Sequence, residues 1–208
     1  MDFRYIAIEG PVALGKSLVA DRLGGRLDAT IVLDETENPF LADFYSGRSG
    51  AGFQAQLFFT LSRHRQQTQL RQSDLFSQLT VCDYLFERDK IYAYLNLDDN
   101  ELFIYQRLYE LLAQDIAVPD LVIYLQASID TLAARVRKRG NPAETGIDDG
   151  YLRRLSEAYT RFFLDYSASP LLVVNSERLN FVDIPDHLDL LIERVTAMRG
   201  GREFFNRA

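Results

Sequence analysis

Eight residues, Gly10-Pro11-Val12-Ala13-Leu14-Gly15-Lys16-Ser17, follow the spacing G-x-x-x-x-G-K-[ST]. Two glycines bound a loop whose N–H groups can converge on an anion, and a helix beginning at its end adds a positive dipole. The flanks suit this geometry. Residues 3–8 form a short, mostly apolar run that reads as a buried strand. Leu18 to Leu23 reads as a helix, with Val19, Ala20 and Leu23 on its apolar side. In that setting the stretch from Gly10 to Leu18 would bind a nucleoside triphosphate, with Lys16 on the β- and γ-phosphates and Ser17 helping to hold Mg²⁺.

Three further groups have types and spacings that suit chemistry. Glu35 stands at the end of an apolar run, residues 30–34, and precedes Thr36-Glu37-Asn38-Pro39-Phe40. A carboxylate beside the phosphate loop could accept a proton from an attacking hydroxyl, and it could equally be a helix-start carboxylate. Gln56 and Arg63 lie seven residues apart, about two helical turns, so they share a face with Phe59 and Thr60 between them. Such a pair can read the edge of a planar heterocycle or form a polar stripe on an exposed helix. Arg135, Arg137, Lys138 and Arg139 crowd one helix end ahead of the loop from Gly140 to Gly146. They suit a lid closing over a triphosphate, and they also suit ordinary pairing with a helix dipole.

The elements that would position these groups alternate. Apolar runs at 3–8, 30–34, 78–83, 120–125 and 170–175 predict five strands; helical periodicity occupies 50–71, 85–95, 100–117, 128–139, 150–167 and 184–198. Alternation of this kind predicts an α/β fold with a parallel sheet covered on both faces, in one domain spanning 1–208. Gly24-Gly25 is read as closing the first helix and Gly200-Gly201 as ending the last. Ligands of such sheets lie beyond the carboxyl ends of the strands, where Glu9, Asp34-Glu35 and Asp83 fall.

Composition narrows the function classes. A net charge of −7 opposes a general nucleic-acid or membrane-surface role. The single cysteine, Cys82, lies in an apolar run and excludes an internal disulfide framework; two distant histidines give no zinc pattern. A strand begins almost at the N-terminus with no long apolar span, so a cytoplasmic protein is expected. Phe58, Leu61, Leu102, Tyr105 and Leu108 could form a helix–helix interface or cover the sheet.

Taken in order, these stretches resemble the deoxyribonucleoside kinase family over most of the chain. The resemblance is carried by Ile8-Glu9-Gly10 with Gly15-Lys16-Ser17, by Glu35 with Asn38-Pro39-Phe40, and by Tyr45. It continues through Phe53-Gln-Ala-Gln56 to Leu61-Ser62-Arg63, Asp89 to Ala93, Arg135 to Gly140, and Glu144 to Leu152. It implies a P-loop kinase fold, a five-stranded parallel sheet flanked by helices, a short Arg-rich lid at about 135–147, and a homodimer. It implies Glu35 as the base for the 5′-hydroxyl, Tyr45 and Glu144 on the sugar 3′-hydroxyl, and Gln56 on the base edge. Arg63 and Asp89 would contact the base, and Arg135 and Arg139 would neutralise the transferring phosphoryl group. The activity implied is transfer of the ATP γ-phosphate, with Mg²⁺, to a deoxynucleoside.

The chain departs from the family pattern after the third strand, where an acidic residue is usually followed by Arg and Ser. Here Asp83 is followed by Tyr84-Leu85, and Glu87-Arg88-Asp89 lies about one helical turn later. Asp83 is taken as the aligned carboxylate and, with Ser17, as the metal ligand; Arg88 is a candidate for the absent charge. Asp89 needs a donor to accept from, which favours a purine or a base with an exocyclic amino group: deoxyguanosine or deoxyadenosine first, deoxycytidine as a further candidate, with Phe59 stacking on the base or limiting its size. Two other activities fit the loop: a thymidylate-type monophosphate kinase, with Arg48 or Arg63 on the acceptor phosphate, and a GTP-binding switch. No Asn-Lys-x-Asp motif supports the second.

Overall fold

The computed structural model describes residues 3–73, 79–141, 146–179, 181 and 184–206. The strands are β1 (Tyr5–Glu9), β2 (Thr30–Val32), β3 (Thr80–Cys82), β4 (Leu121–Gln126), β5 (Leu171–Asn175) and β6 (Arg202–Phe205). The helices are α1 (Lys16–Leu27), α2 (Leu41–Tyr45), α3 (Ala51–Ser73), α4 (Arg88–Asn96), α5 (Asp99–Leu112), α6 (Ile129–Arg139), α7 (Asp149–Asp165) and α8 (Pro185–Ala197).

The strands form one sheet in the order β2-β3-β1-β4-β5-β6, parallel at every pairing. β1 is central, so its residues from Ile6 to Glu9 are buried on both faces, as the continuous apolar run requires. Alternation then assigns the faces. Ile6 and Ile8 join Leu121, Ile123 and Leu125 against α1 and α8, including Val19, Leu23, Leu191 and Val195. Ala7, Val122 and Tyr124 face the other way, against Ile91 of α4 and Leu155, Tyr159 and Phe163 of α7. A further cluster, Phe86, Ala93, Tyr105 and Tyr109, ties α5 to α4, so Tyr105 is core whereas Leu61 is half exposed.

The sheet has six strands rather than the five expected. Gly200 and Gly201, both at positive φ, do not end α8, which closes at Ala197; they turn the chain into β6. β6 has polar and apolar residues half exposed at a sheet edge, so it lacks the apolar run that marks the central strands. Nor does Gly24-Gly25 end α1. The helix continues to Leu27, with Asp28 left-handed as its cap. Gly24 is needed for contact instead, since a Cβ there would lie 2.5 Å from Ile31. β2 stops at Val32, leaving Asp34 and Glu35 in an irregular segment, and the short α2 has no signature of its own in the sequence.

Gly10 links this sheet to the phosphate loop. Its φ is +154°, and a Cβ would stand 2.4 Å from the Leu125 carbonyl oxygen of β4. Gly10→Ala must therefore push β1 and β4 apart, and it should destabilise the protein by about 1–3 kcal/mol, the range of overpacked sites. Urea unfolding with an unchanged m-value would measure this.

Candidate active site

The carboxyl end of β1 opens into the phosphate loop at the point where β3 and β4 diverge on either side, the position at which parallel sheets bind ligands. Ala13 (φ 62°) and Gly15 (φ 74°) take left-handed conformations that fold the loop over the start of α1. Lys16 reaches back across the loop, its Nζ donating to the carbonyls of Gly10 (2.8 Å) and Pro11 (3.1 Å). Burial, followed by the nearby Arg88 charge, pushes its pKa down to about 8. The Ser17 hydroxyl donates to the Asp83 carboxylate, so the α1 start and the β3 end present two hard oxygen donors side by side.

Glu9 is fully buried beneath the loop. Its Oε1 accepts from the Gly10 N–H (2.8 Å) and the Tyr159 hydroxyl (3.0 Å), and its Oε2 accepts from the Leu85 N–H (2.8 Å). It therefore serves as an internal brace joining β1, α7 and the segment after β3.

Asp34 is the centre of the polar network. Its backbone N–H donates to Asp83 Oδ1 (2.6 Å). Its carboxylate takes both Nε and Nη2 of Arg63 at 2.8 Å, and Nη1 of Arg88 at 2.9 Å. Burial works against the Asp34 charge, but Arg63 and Arg88 outweigh it and hold the carboxyl below its usual range. Arg63 Nη1 continues the chain to Asp89. The sequence reading gave Asp34 no role beyond a strand-end acid; its signal was its place next to Glu35 at the end of β2.

Two cavities flank the loop and share Ala13 as a wall. One, of about 230 Å³, is lined by Lys16, Ser17, Asp34, Glu35, Tyr45, Gln56, Phe59, Arg63, Asp83, Arg88 and Arg139 among others. The other, of about 500 Å³, lies over Leu14, Gly15, Leu18 and Val19 and is bordered by Arg135, Lys138, Arg178, Phe181 and His187. Most of the predicted acceptor-side residues thus meet in the first cavity. Arg135 and Arg139 part company there. Arg139 lines the first cavity, whereas Arg135 borders the second and donates to the Ser176 carbonyl (2.9 Å).

A buried stripe on α3 contributes to the wall of the first cavity. Gln56, Thr60, Arg63 and Gln67 recur at helical spacing and all face inward. Gln56 Nε2 donates to the Asp89 carbonyl (3.1 Å), and the Arg63 guanidinium stands 4.8 Å from the Phe59 ring centre. Asp89 is fully buried and does not line the cavity; its carboxylate fixes Arg63 from behind. Tyr84 is also buried, and its hydroxyl bonds Gln66 and Gln67, away from the phosphate loop. At the far end of the lid, Gly146 packs so closely on Tyr45 that a Cβ would lie 2.8 Å from its carbonyl oxygen. Glu144 lies outside the described residues.

Comparison with known proteins gives the same reading. A family model described as deoxynucleoside kinase matches residues 6–198. The chain is 35% identical over 159 residues to the deoxyguanosine kinase of Bacillus subtilis (strain 168), covering 74% of this chain and 76% of that one. It is 32% identical over 196 residues to the deoxyadenosine kinase of Dictyostelium discoideum, covering 91% and 78%. Its fold superposes on that of the M. mycoides deoxyadenosine kinase with bound dATP at a TM-score of 0.78 and 25% identity, covering 93% of this chain and all of that one. With a phosphate loop between two cavities and a family match across nearly its whole length, this chain belongs to the deoxynucleoside kinase family.

Proposed function

We propose that the protein transfers the γ-phosphoryl group of Mg²⁺-ATP to the 5′-hydroxyl of a purine deoxynucleoside, deoxyguanosine or deoxyadenosine. The observation that carries this reading is the pair of cavities meeting at the phosphate loop, one for each substrate. The relatives named above act on deoxyguanosine and deoxyadenosine, which supports the purine preference.

Roles follow from the surroundings of each group. Arg63, fixed by Asp34 and Asp89, and Gln56, fixed on the Asp89 carbonyl, offer pre-oriented polar edges to a base flanked by Phe59. Tyr45 and Glu144 are assigned to the sugar 3′-hydroxyl. Asp34, claimed by two arginines, is a poor proton acceptor, and Glu35 beside it in the cavity wall is the base. Ser17 and Asp83 fit Mg²⁺, which takes oxygen donors and commonly few protein ligands when phosphates supply the rest. Bound with the triphosphate, the ion would supply neutralising charge to the β- and γ-oxygens. Lys16 and Arg139 approach the transferring group from the loop and the lid. Arg135, at the second cavity, is placed to bind the donor.

A monophosphate kinase needs a free cationic site for the acceptor phosphate. Arg48 pairs with Asp43 on the surface (2.7 Å), and Arg63 is locked between two carboxylates, so neither candidate favours that reading. No helix among the described residues is long and apolar enough to cross a membrane. We extend the proposal to a cytoplasmic protein, as the sequence pattern suggests, and to a homodimer, as the family resemblance implies.

Assay of the four deoxynucleosides and deoxyguanosine monophosphate, with ATP and GTP as donors, should rank the purine nucleosides first; thymidine or the monophosphate ranking first would refute the assignment. Glu35→Gln should lower kcat by roughly 10²–10⁴-fold, the contribution of a general base. Wild-type turnover in that variant would remove Glu35 from the mechanism. Lys16 is expected to titrate near pH 8 in the free protein, and a triphosphate favours its ammonium form. ATP binding at about pH 8.5 should therefore take up protons, and affinity should fall as pH rises beyond about 8. Calorimetry in buffers of different ionisation enthalpy would read the uptake, and Lys16→Met should abolish it.

A further inference from the structure

Arg88 opens α4 and is buried, and one of its N–H groups has no acceptor. Nη1 donates to Asp34 Oδ2 (2.9 Å), while Nε lies 3.9 Å from Glu9 Oε2 and has no hydrogen-bond partner among the described residues. Both carboxylates have other partners as well. Asp34 already receives the Arg63 fork through both oxygens, and Glu9 already accepts three hydrogen bonds. A buried guanidinium with an unfilled donor carries a cost. The same side chain lines the acceptor cavity with Lys16, Ser17, Asp34 and Asp83. Its closeness to Lys16 is felt in the lowered pKa of that lysine. Two cations in the wall of one cavity suit an anion arriving there. Tyr84, which directly follows Asp83, offers no charge there.

Resting on the kinase reading above, we propose that Arg88 is a catalytic residue whose guanidinium, anchored on Asp34 through Nη1, presents its cavity-facing edge to the phosphoryl group in transfer. The bond from the acceptor O5′ to the γ-phosphorus forms as the bond from that phosphorus to the β,γ-bridging oxygen breaks. The hydroxyl proton passes to Glu35. Arg88 gains and loses no proton; it balances charge on the equatorial oxygens. Supplied from the first turn of α4 and held by the end of β2, it joins Lys16 from the loop and Arg139 from the lid on a third side of the cavity.

The experiment compares wild type, Arg88→Ala and Arg88→Lys in steady-state assays with ATP and the preferred deoxynucleoside. Thermal melting reports folding. Arg88→Ala should lose roughly 10²–10³-fold in kcat, as for a removed transition-state donor, with the nucleoside KM within about threefold of wild type. Guanidinium chloride at about 20 mM should restore at least about tenfold of that loss, and methylammonium should not, because only the planar ion reproduces the fork. A kcat near wild type, a loss carried by KM alone, or absence of rescue overturns the proposal. If Arg88→Ala does not fold, Arg88→Lys decides: it keeps the charge beside Asp34 but lacks the planar fork that spans two partners, so kcat should fall at least about tenfold. Wild-type turnover there overturns the proposal. An inactive wild type would sink the kinase reading itself, whereas an active wild type with an unaffected variant sinks only the role of Arg88.

Discussion

Asp34 is shared by two buried arginines, and the geometry of the site depends on that sharing. Arg63 arrives from α3 and Arg88 from α4, so one carboxylate beyond β2 fixes the distance between two helices that belong to different parts of the cavity wall. The Asp34 N–H on Asp83 ties the same point to β3, and Asp83 in turn takes the Ser17 hydroxyl at the start of α1. Four segments are thus registered through a single residue. Breaking a buried ion pair by removing one partner typically costs about 3–5 kcal/mol, because the other charge is left uncompensated. Here two guanidinium groups would be left at once. The low proton affinity of Asp34 follows from the same clamp: this acid holds positive charge in place.

Electrostatic holding of this kind is the appropriate design for phosphoryl transfer, which needs positioned charge more than covalent participation. The supports are layered. Glu9 braces the underside of the phosphate loop through three hydrogen bonds, and Asp89 braces Arg63 from the buried side of α4. Groups that line the cavity are therefore oriented by groups that do not, an arrangement that keeps reorganisation small when charge develops.

Local pattern and long-range geometry divide what could be read from the chain. The phosphate loop was legible because its function is in its spacing, and the central strands because burial on both faces forces continuous apolar runs. The edge strand β6 carries Arg202 and Glu203 and looks like a helix tail to the same criteria; only pairing with β5 defines it. On α3, helical spacing placed Gln56 and Arg63 on one face, yet a polar stripe ordinarily implies solvent. It faces inward because Asp34 and Asp89, 29 and 26 residues from Arg63 in sequence, supply the opposing charge. The same distance in sequence hid Asp34 behind its neighbour Glu35. Arg135 and Arg139 share a helix face as their spacing requires, but the phosphate loop lies between the spaces they border, which periodicity along one helix does not encode.

Ala13 forms part of the wall of both cavities, and at that point the partition is a single turn of left-handed main chain carrying one methyl group. Backbone amides grip phosphate whatever side chains surround them. With donor and acceptor divided between the chambers as proposed, the two can consequently diverge along separate lineages of substitution. A change at Phe59 or Gln56 alters one room without rewriting the other. Such a partition offers a physical basis for relatives with a common nucleotide-binding loop to accept different nucleosides while the transfer chemistry remains the same.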